Sequence, residues 1–114
     1  MLSKENRLKK KKDFEDVFKN GRGYKDGFLY LKIIKNNLEP SRFGFVVGVK
    51  FSKSAVKRNK IKRWLRELTR INLQVIEKGF DCVVIVFPGF KAKNFEEAEG
   101  LAEKLFRRAG IIKQ

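Results

Sequence analysis

From Phe80 to Phe87 the chain reads FDCVVIVF, apolar at every position but Asp81. A strand that lies on a core with one face in water alternates apolar and polar residues. A nearly unbroken apolar strand must instead be covered on both faces. The rest of the chain therefore has to supply a layer on each side of this strand. Pro88 and Gly89 end the run, as residues that break a strand.

Other segments supply those layers. Phe14, Val17 and Phe18 recur at i, i+3, i+4 and predict a short helix, with Gly21 as its C′ residue. Arg22 to Gly27 holds two glycines and reads as a loop. Phe28 to Lys35, FLYLKIIK, predicts a strand. Period two puts Leu29, Leu31 and Ile33 on one face and Phe28, Tyr30, Lys32 and Ile34 on the other. Asn36 to Ser41 is a turn, and Arg42 to Val49 a second strand. Phe43, Phe45, Val47 and Val49 line one of its faces, while Gly44, Val46 and Gly48 leave the other low and open. Ser52 or Ser54 caps a helix that runs to about Arg70. That helix is expected to resume after a break towards Lys78 and to end at Gly79. Asn94 caps a last helix, with Glu96 and Glu97 in its first turn, Arg107 and Arg108 in its last, and Gly110 beyond. This charge order suits the helix dipole. Ala98, Leu101, Ala102, Leu105 and Phe106 form its apolar stripe. Residues 1–12 are polar and basic and are expected to be flexible, loose or extended. The resulting order of helix, strand, strand, helix, strand, helix predicts a small α/β sandwich with helices packed on a sheet. With 114 residues, two prolines and no Ser- or Gly-rich linker, one domain over 1–114 is expected.

Charge narrows the function. Lys and Arg number 28 against 13 Asp and Glu, a net +15. Such an excess attracts polyanions, and here it is clustered rather than interspersed. Nucleic acid is the leading partner class and an anionic membrane the next. No stretch approaches the length of a membrane-spanning helix, and no apolar segment follows the basic N-terminus as in a signal peptide. A soluble, cytoplasmic protein is expected. Cys82 is the single cysteine; it packs as a small hydrophobe, or else it is a reactive thiol. There is no histidine, no Cys/His cluster for zinc, and no sequence context for a nucleophilic triad. No catalytic residue is expected in this chain.

The stretch KFSKSAVKRNKIKRWLRELTR, Lys50 to Arg70, carries most of the functional information. Ile61, Trp64, Leu65 and Leu68 fall at i, i+3, i+4, i+7 and make one apolar stripe for the sheet. Arg58, Lys62 and Arg66 are spaced by four and stack along another face, which Asn59, Arg63 and Arg70 extend sideways. Glu67 is the sole acid within the helix. Like charges at this spacing oppose helix formation, and a phosphate backbone would relieve them. Arginine adds planar donor forks that grip phosphate. The competing reading is a solvated face over an ordinary core helix.

The string AVKRNKIKRWLRE, with Arg58-Asn59, Lys62-Arg63 and Arg66-Glu67, resembles the signature of the bacterial ribonuclease P protein family. RLKKKKDFEDVFKNG, Arg7 to Gly21, is similar to that family's N-terminal segment. RFGFVVGVK, Arg42 to Lys50, resembles its strand before the signature, and KGFDCVVIV, Lys78 to Val86, its strand after it. Two features depart from the pattern. Val49 and Lys50 stand where paired lysines are usual, and the loop before the first strand is short.

The resemblance implies an α+β sandwich of αβββαβα order, with a mixed sheet and a left-handed βαβ crossover at the signature helix. The general rule for such crossovers is right-handed. It also implies a subunit of an endoribonuclease holoenzyme whose RNA, with bound Mg2+, cuts the 5′ leader from precursor tRNA. The catalytic RNA would contact Arg58, Asn59, Lys62, Arg63 and Arg66, with Lys57, Arg70 and Lys50 beside them. The single-stranded leader would lie in a cleft between the first helix and the sheet, on Phe14, Phe18, Phe28, Tyr30 and Lys32. Unpaired bases stack on aromatic rings with little sequence demand. The alternative for Phe14 and Phe18 is that they only staple the helix to the sheet. No obligate protein partner and no membrane association are implied. Two other readings remain: a structural RNA-binding protein of the ribosomal type, and a polybasic peripheral membrane protein.

Overall fold

The computed structural model describes residues 2–113, so positions 1 and 114 of the expected domain lie outside the described residues. β4 (Phe80–Val86) lies inside a four-stranded sheet, as its apolar run demands. The sheet order is β1 (Arg22–Asp26), β2 (Leu29–Lys35), β4, β3 (Arg42–Val47). β1 pairs antiparallel with β2, and β2 with β4, whereas β3 and β4 run parallel. Adjacent parallel strands need a crossover, and α2 (Ala55–Ile71) lies within it. α1 (Lys11–Asn20) precedes the sheet and α3 (Phe95–Ala109) follows it. With the 3-10 turns at Lys4–Asn6 and Leu73–Val75, this is a single α+β domain of αβββαβα order with a mixed sheet.

The two faces of the sheet are covered unequally. Leu29, Leu31 and Ile33, with Phe43, Val47, Cys82, Val84 and Val86, pack against Ile61, Leu65 and Leu68 of α2 and Ala98, Ala102, Leu105 and Phe106 of α3. The opposite face carries a small cluster of Leu8, Val17 and Val83, fringed by Phe14, Ile34, Val46 and Ile85. Cys82 is buried in the main core. Burial, reinforced by the nearby Asp81 carboxylate, pushes its thiol well above the ordinary range.

Local chemistry sets the helix ends. The Ser54 hydroxyl, rather than that of Ser52, accepts the Lys57 N–H at 3.3 Å and caps α2. Asn94 Oδ1 accepts the Glu97 N–H at 2.9 Å and caps α3. Gly110 closes α3 in the left-handed region, at φ 76°. Gly21, expected to close α1 in that way, is instead extended. Its need is for space, because a Cβ there would stand 2.5 Å from the Val17 carbonyl oxygen.

Several expectations are corrected. Arg22–Asp26, read as a loop, is an edge strand. Edge strands tolerate charge and glycine, so apolar alternation did not mark it. Gly23 leaves room there for the Tyr30 side chain, whose hydroxyl would stand 1.9 Å from a Cβ. β2 begins at Leu29, which leaves Phe28 in the turn. β3 ends at Val47, so Val49 is off the sheet and 66% exposed. α2 stops at Ile71, and after Asn72 only the 3-10 turn Leu73–Val75 follows, short of Lys78. Ile76 instead bridges to Ile112, and Gly79 turns the chain into β4 at φ 88°. The N-terminal segment is packed rather than loose. Leu2 and Leu8 are buried, Arg7 pairs with Phe43, and the Leu8 N–H donates to the Phe43 carbonyl at 2.9 Å. Two leucines among the basic residues anchor it along the β3 edge, which would otherwise be open.

Candidate nucleic-acid interface

α2 turns its apolar stripe inward and its cations outward. Ile61, Leu65 and Leu68 are buried, as is Thr69, whose hydroxyl donates to the Leu65 carbonyl at 2.7 Å. Trp64 is half-buried against the core, with the Lys60 ammonium 5.0 Å from its ring centroid. Arg58, Lys62 and Arg66 run half-buried along the rim of the stripe, while Lys57, Asn59, Arg63, Arg70 and Lys50 are exposed.

The expected RNA-binding residues are not equally available. Arg58 Nη1 donates to the Ser52 carbonyl at 2.7 Å, pinning the loop that enters the helix. Arg70 Nε donates to Glu67 Oε1 at 3.0 Å, and its Nη2 reaches the same oxygen. The hydrogen bond from Arg70 holds the Glu67 carboxyl below its usual value and raises the Arg70 guanidinium. Arg70 therefore brings less net charge to a partner than Arg63 does. Arg66 reaches a hollow of 360 Å³ shared with Arg7, Leu8, Lys9, Phe14 and Gly44. This hollow joins the signature helix to the face of the sheet under α1.

That face carries two aromatic pairs. Phe14 lies on Gly44, where a Cβ would come within 2.4 Å of its ring. Phe18 is 40% exposed, its ring centroid 6.5 Å from that of Phe14. Tyr30, on β2, stands 5.9 Å from Phe87, and the Lys25 ammonium lies 5.7 Å from the Phe87 centroid. Lys32 is engaged within the protein, donating from Nζ to the Phe18 carbonyl at 2.6 Å. A cation at the end of a helix also suits the helix dipole. Phe28 is set apart from these rings. It is 52% exposed, packs against Gly89, and lines a separate hollow with Phe90, Lys91 and Leu101.

Sequence reasoning missed Phe87, Lys25 and the basic wall of Arg7 and Lys9. Period two from Val83 and Ile85 would have put Phe87 on their face of the strand, but its pairing with Tyr30 depends on the β2–β4 register. Lys25 was hidden in the segment read as a loop. Among the described residues no group of three or more His, Cys, Asp or Glu side chains is placed to hold a metal ion. Among them, too, no helix is long and apolar enough to cross a membrane.

The chain matches the Ribonuclease P family model over residues 2–110. It is 36% identical over 109 residues to a ribonuclease P protein component of Clostridium botulinum, covering 95% of this chain and 97% of that one. The RNase P protein from Thermotoga maritima superposes with a TM-score of 0.81 at 38% identity, covering 90% of this chain and 96% of that one. The Staphylococcus aureus RNase P protein superposes with a TM-score of 0.86 at 27% identity, covering 95% and 98%. Sequence and fold thus agree over nearly the whole length, and the chain belongs to the ribonuclease P protein family, the protein component of an endoribonuclease that processes tRNA.

Proposed function

We propose that this protein binds ribonuclease P RNA through α2 and the single-stranded 5′ leader of precursor tRNA through the sheet face beneath α1. The observation that carries this reading is the pairing of Phe14 with Phe18 and of Tyr30 with Phe87 on one face, beside a helix rich in unopposed cations. Each ring can take a base at ~1–3 kcal/mol, with little dependence on sequence. That suits leaders that differ from one precursor to the next. Lys62, Arg63 and Arg66, with Arg58, Asn59, Lys57 and Lys50, meet the phosphates of the catalytic RNA. Arg7, Lys9 and Arg66 screen the strand where the two surfaces join. Lys32 supports the cleft through the Phe18 carbonyl. Phosphodiester hydrolysis belongs to the RNA and the Mg2+ ions it holds, and the residues of this chain bind and orient. A cytoplasmic location goes with this role.

The test uses the holoenzyme assembled from this protein and ribonuclease P RNA, titrated with precursor tRNA carrying or lacking a short leader. The leader-bearing form should bind more tightly, and a Phe14→Ala, Phe18→Ala double substitution should remove the difference. Equal affinity for the two forms in the unsubstituted protein would sink the leader assignment.

A further inference from the structure

α1 is thinly held for an element that carries two of the stacking rings. It buries Val17, in a cluster completed by Leu8 and Val83. Lys10 stands at its N-cap and makes no side-chain cap. Polar contacts make up the deficit at both ends. At the C-terminal end, the Lys32 ammonium donates to the Phe18 carbonyl. At the N-terminal end, Asp13, the neighbour of Phe14, accepts from Arg42 Nη1 at 3.3 Å.

Arg42 is itself fixed. Its Nε and Nη2 donate to the two carboxylate oxygens of Asp81 at 2.8 and 2.6 Å. Asp81 is buried and faces Arg42 in the parallel β3–β4 register. Asn36 Nδ2 also donates to Asp81 Oδ1, at 2.9 Å. A guanidinium is planar and its donors form a rigid fork. With one edge committed to a buried carboxylate inside the sheet, the remaining Nη1 has a set direction, and Asp13 lies along it.

We propose that Asp81, Arg42 and Asp13 form a positioning relay that seats α1 on the sheet and so holds the Phe14 ring over Gly44 for leader stacking. The inference rests on the leader-binding reading above. None of the three residues has to touch RNA; they act through the placement of α1. Charge alone predicts the opposite effect at Asp13. Removing a carboxylate from a protein of net +15 should tighten binding to any RNA. Removing a positioning contact should weaken the response to the leader alone.

The experiment compares the unsubstituted protein with Asp13→Asn, Asp13→Glu and the Phe14→Ala, Phe18→Ala control. Two readouts are taken: holoenzyme affinity for precursor with and without leader, and amide hydrogen exchange of the free protein. Asp13→Asn should lower the leader-to-leaderless affinity ratio by about fivefold, the scale of one partly exposed ion pair. It should also speed exchange along α1 while β2 and β4 keep their protection. Asp13→Glu keeps the carboxylate and should restore part of both effects. An equal rise in affinity for both precursors, or an unchanged ratio where the aromatic control lowers it, overturns the relay. If the unsubstituted protein shows no leader preference, the leader reading fails by itself. The seating of α1 is then decided by hydrogen exchange, and unchanged α1 protection in Asp13→Asn overturns it.

Discussion

Gly44→Ala should weaken leader binding by adding one methyl group. Gly44 is buried in β3 beneath Phe14. A Cβ there would come 2.4 Å from Phe14 Cζ, 2.5 Å from Cε1 and 3.5 Å from Leu8 Cβ. Carbon atoms in contact stand ~3.5–4.0 Å apart, so the ring must retreat by about 1 Å or more. The obstacle is the end of a half-buried side chain rather than backbone, so the ring can swing outward. Overpacking typically costs about 1–3 kcal/mol, while replacing glycine inside a strand returns roughly 0.5–1 kcal/mol. The net loss of stability should therefore lie between about 0 and 2.5 kcal/mol, and the protein should fold. A displaced ring forfeits stacking worth ~1–3 kcal/mol per base, roughly 5- to 150-fold in affinity. Parallel titrations of the holoenzyme with leader-bearing and leaderless precursor measure this, with Phe14→Ala setting the maximum loss. The leader's contribution should fall by about fivefold or more while leaderless affinity stays unchanged. A leader contribution unaltered in Gly44→Ala but lost in Phe14→Ala would refute the idea that the seat of the ring matters. Unfolding of the variant would refute the premise that Phe14 can yield.

Three further outcomes are expected. If about six phosphates are contacted, log affinity for RNA against log salt should slope by roughly −4 to −5, and Arg63→Ala or Arg66→Ala should flatten it by about one contact; Phe14→Ala should leave it unchanged. Cys82 should resist alkylation in the native protein, because burial raises its thiol, and should react on unfolding. The same shift makes stability level below the unfolded thiol value of about 8.5 and falling as pH rises above it. Melting temperatures across that range should fall in the native protein and less so in Cys82→Ala. Ser54→Ala and Asn94→Ala should each cost about 1 kcal/mol in thermal unfolding, as lost N-caps.

The elements legible in the sequence were those whose burial leaves a period. The stripe Ile61, Leu65, Leu68 on α2 and the alternation Leu29, Leu31, Ile33 on β2 are reproduced in the main core. The caps at Asn94 and Gly110 were legible because local hydrogen bonding decides them. β1 was illegible because an edge strand buries too little to impose alternation. The N-terminal segment was misread because two leucines among lysines make no period, although both are buried against the rest of the fold. The same limit applied to the site. Cation spacing on α2 exposed the candidate RNA-binding face, but it gave no sign that Arg58 is tied to Ser52 or Arg70 to Glu67.

The sequence by itself determined that a central strand is covered on both sides, that one amphipathic helix carries clustered cations, and which family these motifs resemble. These properties follow from the order of residue types along an element. Only the tertiary structure decided that Phe14 rests on Gly44, that Phe87 pairs with Tyr30, that Phe28 stands apart, and that Arg42 joins Asp81 to Asp13. Each of these depends on register and on the close approach of residues distant in the chain, set when the sheet pairs and α1 docks rather than by local periodicity.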